Sequence, residues 1–179
     1  MRASQMKSGI RSLDTLAEAG TIRRECRSLI EPVEAALSVS WLPFELNSAL
    51  VERVEEICGA EAAAGWAQES IRRSMSGTFL KPILDGLMRL GLGPKHAIRR
   101  CAAGWDLFYK NAGHLECSAN DHEATLILSG APRVILAPSY LRSIAATYGA
   151  IALELGAGDV KADFVVGRYV EFSVRWKPR

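Results

Sequence analysis

The 179-residue chain has no closely spaced thiols: its four cysteines, Cys26, Cys58, Cys101 and Cys117, stand far apart, with no CxxC pair to build a zinc or redox centre. They read as four reduced, mostly buried small side chains. It also lacks an apolar run of the roughly 20 residues that a bilayer crossing needs. "IEPVEAAL" and "SIAATYGAIALELG" are too short or are broken by charge. The basic N-terminal "MRASQMKSGIRSLDTL" is not followed by the apolar core of a secretory leader. The expected location is the cytoplasm, with no membrane span. Charge of one sign is scarce too. A net charge of +2, with Arg23-Arg24, Arg72-Arg73 and Arg99-Arg100 scattered and no aromatics between them, gives no reason to expect a nucleic-acid partner.

Catalytic signatures are equally missing. There is no GxSxG elbow, no Walker loop, no HExxH and no glycine fingerprint after a strand. "GLGPKH" joins two expected helices and has too few glycines to cradle phosphate. The three histidines are His96, His114 and His122. "HLECSANDHE" gathers metal-capable side chains, but Asn120-Asp121 is also a natural hairpin turn, so the segment reads as an exposed polar loop. Haem would need an axial ligand in an apolar pocket and partners for its propionates. His96, Tyr140 and Arg142 are the residues to ask about, and nothing in the sequence ties them together. No catalytic residue, no metal and no cofactor is expected, and the protein reads as a non-enzyme.

What the chain does have is two periods. As far as about residue 112, apolar residues recur at three and four, which predicts helices near 8–19, 22–37, 43–58, 60–75, 78–91 and 94–112. "SVSWLPFEL" (38–46) concentrates apolar area where proline breaks any preceding helix. Pro43 suits a first-turn position, with Trp41 and Leu42 packing back on that turn. Glu45 would then face the positive end of the helix dipole, partly buried behind the apolar stretch. In 94–112, Ile98, Cys101, Ala102, Trp105, Phe108, Tyr109 and Ala112 form one stripe.

After "NAGHLE" the period becomes two. Ala124, Leu126 and Leu128 alternate with Thr125 and Ile127, and Val170, Phe172, Val174 and Trp176 alternate with Tyr169, Glu171, Ser173 and Arg175. "DVKADFVVG" joins the last strand through Gly167-Arg168, where glycine could take a positive φ. Between the hairpins, Pro138 and Gly156 bracket a helix rich in Ala and Gly. The reading is α+β. An N-terminal helical layer packs on a small antiparallel sheet of about four strands, arranged strand-strand-helix-strand-strand at the C-terminus. Residues 1–179 form a single expected domain, helical over 1–112, with sheet and helix over 113–179.

Three segments also carry a family likeness: "SWLPFE", the stretch from Phe79 to Glu116, and the close from Gly149 to Trp176. In their order and spacing, Trp41, Pro43, Glu45, Trp105, Tyr109, Gly113, Gly156, Ala157, Val160, Arg175 and Trp176 resemble a myxobacterial family of paralogues with no assigned function. That family is similar to the superfamily of haem–nitric-oxide binding domains, vinyl-reductase-like sensor domains and small Golgi-tethering subunits. The likeness implies helices on an antiparallel sheet, and ligand sensing or dimeric scaffolding as a role. The haem branch's Tyr-x-Ser-x-Arg motif is missing here, and the sensor branch's late cysteines have no counterpart, since the final strands carry Ser173 and no cysteine.

Two functional readings follow. In the first, a regulatory or sensory module holds a small apolar or aromatic ligand between helices and sheet, with Trp105, Phe108, Tyr109, Tyr140 and Tyr148 as lining residues. In the second, the protein is a homodimer or adaptor without a ligand, making contact through Trp41, Phe44, Ala145 and Gly149.

Overall fold

The computed structural model describes residues 1–75, Gly86 and 93–177. The expected helix at 78–91 therefore lies outside the described residues, apart from Gly86, which is helical. The described elements are α1 (Ala3–Ser12), α2 (Ala19–Glu25), α3 (Arg27–Ala35), α4 (Phe44–Cys58), α5 (Ala60–Met75), α6 (Pro94–Ala103) and α7 (Trp105–Phe108). After them come β1 (His114–Ala119), β2 (Glu123–Ser129), α8 (Pro138–Glu154), β3 (Gly158–Val166) and β4 (Val170–Lys177). This is the α+β arrangement read from the sequence.

The four strands form one antiparallel sheet in the order β1-β2-β4-β3. The alternation read from the sequence sets its faces. Ala124, Leu126 and Leu128 of β2 and Val170, Phe172, Val174 and Trp176 of β4 are buried, while their neighbours in sequence are half-buried or exposed. On the buried face α6 packs against β1 and β2, and α8 against β3 and β4. Helices α4 and α5 lie on α8, and α1 lies on α5. Gly149 lets α8 come close to the sheet, since a Cβ there would stand 3.3 Å from the Ala162 Cβ. One core cluster runs from Met6 and Ile10 in α1 through Ile151 in α8 to Phe172 in β4.

Several boundaries differ from the sequence reading, each for a local reason. The helix expected at 8–19 is Ala3–Ser12 followed by a 3-10 turn at Leu13–Thr15. Its start is fixed from outside, by Ala3 N–H donating to the Ser40 carbonyl and Arg2 N–H to that of Phe108. The 22–37 helix divides at Cys26, whose φ/ψ of −95/15° interrupts the run. Pro43 is not in the first turn; it precedes α4 with extended ψ of 142°. The single stripe expected over 94–112 breaks at Gly104, and Tyr109 is extended. Gly167 is not in the left-handed region; its N–H closes the β3–β4 turn by donating to the Tyr169 carbonyl.

Candidate functional site

Where the chain leaves α7, its aromatics gather against the helical layer. Tyr109 stacks on Trp105 with ring centroids 4.0 Å apart and on Phe44 of α4 at 6.0 Å. Offset stacking of this kind adds to the area buried. Trp105 is buried, yet its Nε1–H finds no acceptor among the described residues. An orphaned buried donor costs about 1–3 kcal/mol. Tyr140, buried in α8, accepts a hydrogen bond from Asn47 Nδ2 at 3.2 Å and lies 3.7 Å from the Met1 sulfur. Tyr148 is buried about two turns further along α8. Burial pushes the Tyr109 hydroxyl up to about 12. It also raises Tyr140 and Tyr148 well above the ordinary tyrosine value, with the neighbouring Tyr109 adding to both.

A small cavity of about 60 Å³ adjoins this cluster, walled by Met1, Asn47, Val51, Trp66, Tyr109 and Tyr140 among others. Tyr109 and Tyr140 thus meet at one space. Trp105 backs Tyr109, while Tyr148 and the half-buried Phe108 stand outside the cavity wall. Asn47 and Trp66 were not singled out from the sequence. Trp66 donates its Nε1–H to the Gly9 carbonyl at 2.8 Å, and the tie between Asn47 and Tyr140 spans 93 positions.

The surface residues separate differently. Trp41 is partly exposed and pairs with Arg2, whose guanidinium lies 4.2 Å from the ring centroid, a cation–π contact. Phe44 is buried in the aromatic stack rather than presented outward. Glu45 is exposed rather than buried and stands in the first turn of α4. Ala145 and Gly149 share the floor of an open groove of about 700 Å³ between α5, α8 and β3, along with Ala60, Ala64, Val160 and Phe164.

The "HLECSANDHE" segment is the β1–β2 hairpin. Asn120 Oδ1 accepts from the N–H groups of His122 and Glu123, and Lys95 pairs with Asp121. No three His, Cys, Asp or Glu groups among the described residues gather for a metal. All four cysteines are free thiols. Burial raises Cys101 to about 11, with Cys117 as its acidic neighbour, so its thiol is held in the unreactive protonated form.

Of the three residues asked about for haem, Tyr140 and Arg142 are already engaged by other side chains among the described residues. Arg142 is engaged twice by the Glu55 carboxylate, at 3.0 and 2.5 Å. The Tyr140 hydroxyl is engaged inside the helical layer with Asn47, whereas His96, at the start of α6, keeps a buried Nδ1 with no partner among the described residues. The cavity of about 60 Å³ beside Tyr140 has no room for a haem macrocycle.

No family model and no curated protein matches the chain. Solved structures do. The H-NOX protein from S. oneidensis in the Fe(II)NO state aligns over 99% of both chains with a TM-score of 0.66 at 8% identity. The Fe(II)CO form of the H-NOX domain from Shewanella oneidensis covers 100% of both chains at 0.66 and 7%. The unliganded Fe(II) H-NOX protein from K. algicida aligns over 100% of this chain and 98% of its own, at 0.63 and 8%. At such identities the likeness concerns architecture alone: this chain has the fold of the H-NOX proteins along its whole length, with its own aromatic side chains in the interior.

Proposed function

We propose that the chain is a non-enzymatic sensory or regulatory binding module, folded as one unit over 1–179 and working in the cytoplasm. It takes a small apolar or aromatic molecule beside Tyr109 and Tyr140 and transmits occupancy through a partner contact. The observation that carries this reading is the cavity at the aromatic cluster, set in a fold shared over its full length with H-NOX proteins. The cavity wall mixes apolar Val51, Trp66 and Ile144 with polar Asn47, Ser70 and Thr147, so it can both surround a ring and fix its orientation. The Tyr140 hydroxyl and, one layer behind, the orphaned Trp105 N–H add to the polar groups. The cavity must widen to admit a ring, which displaces half-buried Tyr109 at the end of the short α7. No described helix is long and apolar enough to cross a membrane.

Phenol and indole are suitable probes. Either, at ten times its dissociation constant, should raise the melting temperature by about 3–5 °C. Ala67→Val, which fills the cavity from a buried wall position, should abolish the rise while leaving the protein folded. No shift with any small aromatic, or an undiminished shift in Ala67→Val, contradicts the reading.

A second reading, a homodimeric interaction protein, is favoured by a different observation. Val165 and Val166, 71% and 54% exposed, stand on β3 at the sheet edge, beside the groove that holds Ala145 and Gly149.

A further inference from the structure

Among the described residues, β3 is an edge strand paired only with β4. The direction of its free hydrogen-bonding groups follows from two contacts. Trp176 N–H donates to the His122 carbonyl on the β2 side, so the even-numbered residues of β4 bond toward β2 and the odd-numbered ones toward β3. Their partners in β3, Lys161, Asp163 and Val165, therefore bond inward. Ala162 and Phe164 are left with their N–H and C=O groups on the open edge, and Val160 precedes them in the register shift between Gly158 and Lys161. Phe164 supports this independently, because its N–H is taken by the Asp163 carboxylate at 2.8 Å rather than by β4.

We propose that this edge pairs with β3 of a second copy of the chain, antiparallel about a two-fold axis at Ala162. The proposal rests on the interaction reading above and names its surface. In this register Ala162 faces its own counterpart, and Val160 faces Phe164 of the second copy. The outward-directed groups of Ala162 and Phe164 then enter ladder hydrogen bonds across the contact, as a self-complementary two-fold contact requires. The charges match as well. Lys161 and Asp163, both exposed on the solvent face, come directly opposite Asp163 and Lys161 of the second copy. These are close, non-hydrogen-bonded pairs in which side chains approach each other best. A register shifted to centre on Lys161 or Asp163 sets like charges across from each other. On the helix side, half-buried Val160, Ala162 and Phe164 line the groove against α8, so a second copy continues its apolar wall. Asp163, now holding the Phe164 N–H, releases it to the second copy and turns to Lys161.

Sedimentation across a micromolar concentration series tests this. The unsubstituted chain should sediment as a dimer at the upper end. Lys161→Glu or Asp163→Lys alone turns two attractive pairs into repulsive ones and should raise the dissociation constant about ten- to thirtyfold. The double variant should restore it. Ala162→Pro removes only an N–H that faces the open edge, a place where a strand tolerates proline. It should leave the melting profile cooperative and give a monomer. A dimer indifferent to all of these overturns the β3 register but leaves the interaction reading standing. A monomer at every concentration overturns both.

Discussion

Gly113→Ala is expected to destabilise the protein by about 3–5 kcal/mol, near the upper end of single-substitution effects. The chain enters β1 through Asn111 and Gly113, at φ of 57° and 84°. It is pressed there against the end of β2, where His114 lies opposite Ser129. A Cβ on residue 113 would stand 2.4 Å from the Ser129 carbonyl oxygen and 2.7 Å from the Ala131 nitrogen, both backbone atoms that no rotamer change can withdraw. The left-handed conformation alone costs an alanine about 1–2 kcal/mol; the rest comes from pushing the β1–β2 pair apart. Gly130 provides the contrast. Its φ is 65°, but nothing lies within 4 Å of its added Cβ, so Gly130→Ala should cost only about 1–2 kcal/mol. Urea midpoints of the two variants measure the difference. Equal midpoints would mean that the close approach at Gly113 is absent.

Alkaline pH should undo the fold steeply. Of the four tyrosines, Tyr109, Tyr140 and Tyr148 all keep their protons in the folded chain above the ordinary value of 10.0. Burial is the leading cause in each case, because it disfavours the phenolate. A folded-state pKa above the unfolded one gives stability that is complete below the unfolded value and is lost as pH rises. Here the unfolded chain binds fewer protons than the folded one from about pH 10 up to at least the Tyr109 value of about 12. Each tyrosine then removes about 1.4 kcal/mol per pH unit, so the three together remove about 4 kcal/mol per unit. Unfolding free energy from urea titrations at successive pH values gives the slope. Tyr148→Phe should reduce it by about a third. A flat profile through this window would show that the aromatic cluster is open to water.

The sheet and the aromatic cluster differ in how far the sequence reveals them, and distance along the chain explains why. Strand faces depend on neighbours two apart, so the alternation of Val170, Phe172, Val174 and Trp176 showed both the strand and its buried side. Helix α5 coincides with its expected bounds, 60–75, because Gly59 stops the previous helix at φ 82°. The stack of Trp105 on Tyr109 is a four-residue spacing and was visible as part of a stripe. That Gly104 would divide the stripe was not visible, because glycine is tolerated within helices and the break is imposed by packing. The partners that define the site are remote. Asn47 reaches Tyr140 across 93 positions, and Arg142 meets Glu55 across 87. No local period encodes such pairs. The small residues of α8 point to a close approach, and a Cβ on Gly149 would stand 3.3 Å from the Ala162 Cβ.

We propose that this fold, shared with H-NOX proteins, takes a small molecule beside Tyr109 and Tyr140 in place of haem. Native mass spectrometry of the freshly purified protein, paired with a visible absorbance scan of the same sample, tests it most directly. The expected result is a small non-covalent mass that disappears on denaturation, with no Soret band. A Soret band accompanied by the mass of haem would contradict it outright. A bare chain mass, seen as a dimer and unchanged by added phenol or indole, would contradict the ligand reading and leave the interaction reading in its place.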